Sequence, residues 1–213
     1  MGTTERRERE KEQRRNEIIN SAEKVFFMKG IENATMDEIA EEAELSKGTL
    51  YLYFKSKEEL FHAICSRAGK KLLGMFEESI KYKKNGLLKV KSIGQAFYDF
   101  SQGYPEYYDV IKRADSMKIC DCENSHEAKK AKEQGEETLG LLKKCVIEGI
   151  NDRSIRSELD PEITSIMLYG MSKGVIQIMN EVMPETGMPL IQDKKLFIES
   201  FFEFAGYGLN NQK

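Results

Sequence analysis

Residues 35–54 read TMDEIAEEAELSKGTLYLYF, and the caps written into this stretch decide the fold. Thr35-Met36-Asp37-Glu38 has the form of a capping box, in which a Thr hydroxyl and a Glu carboxylate three residues on satisfy each other's backbone donors at a helix start. Met36, Ile39, Ala40 and Ala43 then give a short apolar face. Ser46 can cap a second helix, with Leu45 before the cap and Leu50 at the fourth helical position placed to form a hydrophobic staple. A short helix, a tight turn and a second short helix have the shape of a helix-turn-helix. In that motif the second helix enters the major groove of DNA, and its N-terminal residues reach the base edges.

The residues at that position suit the task. Lys47 can meet a phosphate or a guanine edge, and Thr49 offers a hydroxyl together with a methyl group. Gly48 inside a helix costs about 1 kcal/mol against Ala, a cost that makes sense where the backbone must come close to something. Tyr51 and Tyr53 place phenol hydroxyls just past the first turn. Thr35 and Lys57 stand at helix starts on either side, where unpaired N–H groups attract anions and each residue can clamp a phosphate. Such contacts fix register and carry little sequence information. The plainer reading is an ordinary all-helical protein, since capped short helices and exposed Tyr and Lys are common.

Working outward, Ser56-Lys57-Glu58-Glu59 reads as a second capping box. It opens a long helix through Leu60, Phe61, Ile64, Ala68, Leu72 and Phe76. Upstream, Ile18, Ile19, Ala22, Val25 and Phe26 form one face of a helix starting at Asn16 and stopping near Gly30, a residue that favours helix ends. Residues 5–15, ERREREKEQRR, have no apolar face. They read as a frayed or disordered charged arm, either simply solvated or touching phosphates. Downstream, helical periodicity places helices at about 86–102, 104–115, 125–150, 161–183 and 191–210. Asp160-Pro161 is a strong start signal, and MPETGMP at 183–189 is a break.

Bulk properties bound the function. The 213 residues include 33 basic and 36 acidic side chains, so any DNA binding must come from local arrangement rather than overall charge. Splitting the chain at residue 60 does not change this, with 11 basic against 14 acidic residues before it and 22 against 22 after. No apolar run approaches membrane-spanning length, and MGTTERRERE offers no secretion signal, so the expected location is cytoplasmic. The cysteines at 65, 120, 122 and 145 do not form a disulfide framework. An enzyme finds little support: there is no Gly-rich phosphate loop, nucleophile elbow or HExxH, and the only histidines are His62 and His126.

The run from Asn16 to Leu72 closely resembles the DNA-binding domain of the TetR family of transcriptional regulators. The resemblance rests on Ile18–Ala22, Phe26, Gly30, Thr35, Ile39-Ala40, Ala43, the stretch Ser46–Phe54 and Ser56–Leu60. It implies an all-α fold in which a charged arm (1–11) precedes a helix-turn-helix DNA-binding domain (12–72, reading motif 35–54). A larger helical ligand-binding and dimerisation domain (73–213) follows. It also implies a homodimer bound to double-stranded operator DNA, most often a repressor released by a small-molecule effector, with no cofactor. By position, backbone-contacting residues fall on Thr35, Tyr53 and Lys57, and groove-facing ones on Lys47, Gly48, Thr49 and Tyr51. Leu52 departs from the polar or aromatic residue of many relatives, so the operator cannot be carried over from them.

In the C-terminal part the resemblance fades. Ile163, Ile166, Met167, Gly170, Met171, Gly174 and Ile178 lie at helical spacing, as do Phe197, Phe201, Phe204 and Gly208. These stripes read either as internal core or, as the family resemblance implies, as a four-helix dimer interface built on Gly170, Gly174, Ile178, Phe197, Phe201 and Phe204. Phe76, Phe97, Phe100, Tyr104, Tyr107, Tyr108, Met117 and Met171 are candidates to line an apolar effector pocket, or else form ordinary core. The middle helices carry no basic cluster, which favours a neutral or amphipathic hydrophobic effector. Gly74 is a further candidate for the pocket wall. Cys120, Cys122 and His126 could supply soft groups for a metal or a thiol sensor; with no fourth ligand and a spacing that matches no common zinc finger, they read more readily as a polar loop between helices.

Overall fold

The computed structural model describes residues 3–116, 125–182 and 193–211. Its elements are helices α1 (Thr3–Lys29), α2 (Met36–Glu42), α3 (Lys47–Tyr53), α4 (Lys57–Ile80), α5 (Gly86–Gly103), α6 (Pro105–Ser116), α7 (His126–Asn151), α8 (Pro161–Gln177) and α9 (Lys194–Leu209). No strand occurs among the described residues beyond one isolated bridge between Ile155 and Asn210. The chain is therefore all-α, as its periodicity requires.

Two compact units emerge: residues up to Gly69 with Asp109–Gln134, and Lys70–Tyr108 with Gly135 onward. In the first, the apolar faces read from the sequence all turn inward. Ile18, Ile19, Ala22 and Phe26 of α1, Ile39 and Ala40 of α2, Leu50 of α3, and Leu60, Phe61, Ile64 and Ala68 of α4 are buried. The start of α7 and end of α6 join this unit through polar anchors. Arg15 ion-pairs with Glu127 and lies 5.1 Å over the ring of Phe54, while Arg113 reaches Glu32 at 2.8 Å.

The charged arm is not frayed: α1 is one helix from Thr3. Glu and Arg are good helix formers, and pairs such as Arg6–Glu10 at 2.8 Å and Arg14–Glu17 at 2.8 Å support the turns they span. At its other end α1 stops at Gly30, whose φ of 76° is the left-handed conformation that terminates helices.

In the second unit Leu72, Phe76, Val90, Ile93, Phe97 and Phe100 are buried, with Cys145, Val146, Ile155, Ile176 and Ile198. Helix α5 meets α7 at glycines: a Cβ on Gly86 would lie 2.0 Å from the backbone nitrogen of Gly149. The Gly86 N–H donates to Asp152 at 2.8 Å. Helix α8 ends one turn earlier than its periodicity suggests, at Gln177, and widens into a π-helical turn over Ile178–Val182.

A candidate DNA-reading surface and a candidate effector and dimer domain

Both local starts behave as written. The Thr35 hydroxyl accepts from the Glu38 N–H at 3.2 Å, and the Glu38 carboxylate takes the Thr35 N–H at 3.1 Å. The bond from Lys29, reinforced by the Thr35 N–H, holds the Glu38 carboxyl below its ordinary range. Ser46 caps α3 by accepting from the Thr49 N–H at 3.1 Å. The turn between the two helices hangs on Glu44, a non-glycine residue at φ 53°. The capping box at Ser56 is only half formed. The Ser56 hydroxyl accepts from the Glu59 N–H at 3.3 Å, but the Glu59 carboxylate reaches one residue further back, to the Lys55 N–H at 2.7 Å.

The first residue of α3 is tied to the first turn of α2. The Lys47 ammonium lies 2.6 Å from Asp37, a bond that raises its pKa above the ordinary lysine value. The Thr49 hydroxyl shares a hydrogen bond of 2.8 Å with Ser46. Gly48 is exposed, and a Cβ there would meet only the Ser46 hydroxyl at 3.9 Å, so nothing within the chain demands glycine. Tyr51 and Tyr53 are half-buried, and Leu52 stands 76% exposed.

Lys57 is turned inward. Its Nζ donates to the carbonyls of Ile31 at 2.8 Å, Glu32 at 3.0 Å and Ala34 at 3.1 Å. All three ammonium donors are spent on the loop between α1 and α2, so reaching a phosphate requires giving up at least one of these bonds. Sequence spacing showed the helix start but could not show carbonyls more than twenty residues away.

Of the pocket candidates, Phe76, Phe97, Phe100 and Tyr108 are buried and Tyr104 lies at the edge. Phe97 is the hub, with Phe76 edge-on at 6.3 Å and Tyr108 at 5.8 Å between ring centroids. Phe100 pairs with Tyr104, over which Lys71 lies at 4.1 Å. Tyr169 of α8, absent from the expected set, also meets Phe97 at 5.8 Å. Only the helical spacing of Tyr169 from the buried Ser165 and Ser172 could have flagged it. Tyr107 and Met171 are half-buried. Gly74 is exposed with open space around it, so it walls no pocket. Met117, Cys120 and Cys122 lie outside the described residues, and His126 is exposed at the first position of α7.

Helix α8 is apolar on its outer side. Thr164, Ser165, Leu168, Ser172 and Ile176 are buried, whereas Ile163, Ile166, Met167 and Ile178 are exposed. Gly170 and Gly174 open the same outer surface, with nothing near their Cβ positions. Helix α9, packed beside α8, leaves Phe204 73% exposed, while Phe197 and Phe201 are half-buried. Reading the α8 stripe as internal core is therefore overturned.

The capped α2–α3 pair, packed with α1 and α4, has the form of a helix-turn-helix, a motif that DNA-binding proteins use to enter the major groove. Residues 18–64 match the family described as "Bacterial regulatory proteins, tetR family". The chain is 34% identical over 98 residues to the HTH-type transcriptional activator FasR of Mycolicibacterium smegmatis, a match covering 44% of this chain and 45% of that protein. It is 24% identical to the fatty acid metabolism regulator protein of Bacillus subtilis, over 72% of this chain and 77% of that one. The chain spans less than half the length of FasR, YfiR and SlmA, relatives that it matches.

Solved structures extend the likeness to the fold of the whole chain. FadR from Bacillus subtilis in complex with stearoyl-CoA superposes with a TM-score of 0.71 at 23% identity, covering 90% of this chain and 97% of that one. The ketosteroid regulator KstR2 of Mycobacterium tuberculosis gives a TM-score of 0.65 at 16% identity, covering 93% and 96%. The relatives named are transcription regulators, in line with the expectation that this chain is not an enzyme. No helix among the described residues is long and apolar enough to cross a membrane.

Proposed function

We propose that this chain is a homodimeric transcriptional repressor that releases its operator when a small hydrophobic or amphipathic effector binds. Residues 12–72 read DNA and residues 73–213 bind the effector and dimerise. The observation that carries the reading is α3 itself: a helix capped at Ser46 whose exposed side presents Lys47, Gly48 and Leu52, with Thr49, Tyr51 and Tyr53 beside them. Thr35 can accept its backbone bond and still donate its hydroxyl proton to a phosphate. Lys47 exchanges Asp37 for DNA, and Lys57 acts by holding the α1–α2 loop rather than by touching phosphate. The outward apolar stripe on α8 and α9 supports dimerisation, since apolar surface of that kind marks an interface. The aromatic cluster around Phe97 supports an apolar effector, and the stearoyl-CoA complex of the FadR neighbour makes a long-chain acyl thioester the first effector to test.

The test is fluorescence anisotropy of DNA taken from upstream of the chain's own coding sequence, titrated with the full-length protein. Tight, salt-sensitive binding that weakens when stearoyl-CoA is added is the expected result. Binding no tighter than to unrelated DNA would refute the regulator reading, and binding indifferent to acyl thioesters would refute this effector class.

A further inference from the structure

We infer that Leu52 is a specificity-determining residue that reads the C5-methyl group of a thymine in the major groove. The inference rests on the DNA-binding reading above. On α3, Leu50 is fully buried and forms the inner face, Tyr51 and Tyr53 are half-buried, and Leu52 projects with 76% of its surface exposed. An apolar side chain so placed contributes little to the stability of the free chain, so its surface is open to a partner.

Gly48 lies one turn earlier on the same face, four residues away. A Cβ at Gly48 would meet nothing closer than the Ser46 hydroxyl at 3.9 Å. Glycine there is explained neither by packing nor by an unusual backbone angle. It does leave the flank of Leu52 clear, so that helix backbone and leucine can both approach a base edge. The polar side chains around this bare strip already have partners within the chain. Lys47 is held by Asp37, Thr49 by Ser46, and the Lys55 ammonium by the Tyr51 carbonyl at 2.8 Å.

Leucine has no hydrogen-bonding atom. Facing guanine, adenine or the amino group of cytosine, it would leave a donor or acceptor dry. The one apolar group that a base presents in the major groove is the thymine methyl. A leucine beside a glycine therefore favours thymine by contact and disfavours the other bases by desolvation.

The test uses the full-length protein and a duplex selected by it from a random library. Each thymine of the selected half-sites is replaced, symmetrically, by deoxyuridine, which removes only the methyl group. One thymine per half-site is expected at which the replacement weakens binding about fourfold per half-site, the value of one buried methyl-sized group. In Leu52→Ala, whose exposed position leaves the fold intact, that one sensitivity disappears while the others remain. Reselection with Leu52→Ala then returns sites degenerate at that base. Leu52→Ala with an unchanged deoxyuridine profile, or selected half-sites without thymine, would overturn the assignment while DNA binding stands. Selection of no duplex at all would instead bring down the DNA-binding reading and this inference with it.

Discussion

Replacing Lys57 separates two roles that the sequence alone could not distinguish. A phosphate clamp predicts that Lys57→Met leaves stability unchanged and flattens the salt dependence of DNA binding, by about 0.9 per contact in the log–log slope. The structure predicts the reverse. Three carbonyls accept from Nζ, and those of Ile31 and Ala34 are partly buried while that of Glu32 is exposed. Water replaces the lost bond at the exposed carbonyl at little cost. Each partly buried bond to a charged donor contributes about 1–1.5 kcal/mol after allowance for exposure. Lys57→Met should therefore destabilise the protein by about 2–3 kcal/mol, lowering the thermal midpoint by roughly 5–10 °C for a chain of this size. Urea denaturation measures the first quantity, and anisotropy titrations across a salt series at a temperature where the variant is folded measure the slope. Stability within about 0.5 kcal/mol of the parent, together with a flattened slope, would refute the clamp on the α1–α2 loop.

Glu44→Gly should stabilise the helix-turn-helix by roughly 0.5–1 kcal/mol, because φ 53° strains any residue with a Cβ; urea midpoints at constant slope check this. Phe204→Asp should give a folded monomer by light scattering and circular dichroism, with operator affinity reduced by more than about a hundredfold as the two reading units come apart. Phe204 is 73% exposed, so the substitution spares the subunit core in a way that Phe201→Asp, with its ring 5.5 Å from that of Phe202, would not. Burial pushes the Cys145 thiol up to about 11, with Glu148 adding to the effect. The unfolded chain ionises this thiol first, so the stability it contributes is intact below about pH 8.5–9 and lost as pH rises toward 11. Cys145→Ala should fall less steeply than the parent in urea midpoints measured from pH 8 to 10.5, and parallel curves would count against it.

What the sequence determined by itself is what local chemistry settles. The caps at Thr35 and Ser46 bond to groups three residues away, so their residue types suffice to write the starts of α2 and α3. Periodicity likewise sorts Ile18, Ile39, Leu60 and Phe61 to the inside, because a helix admits one apolar face toward one core. Tertiary structure decided matters that depend on distant partners or on competition between partners. The fate of Lys57 lies with carbonyls of another segment, and Glu59 chose the Lys55 N–H over that of Ser56. Helix α8 turns Ser165, Leu168, Ser172 and Ile176 inward and leaves Ile163, Ile166 and Met167 outward, a choice between two partly apolar faces that periodicity within the helix leaves open. Gly86 against Gly149 and Tyr169 against Phe97 join residues more than sixty positions apart. No pattern within either helix announces such a meeting, because the chain must fold before the two backbones or rings have each other as neighbours.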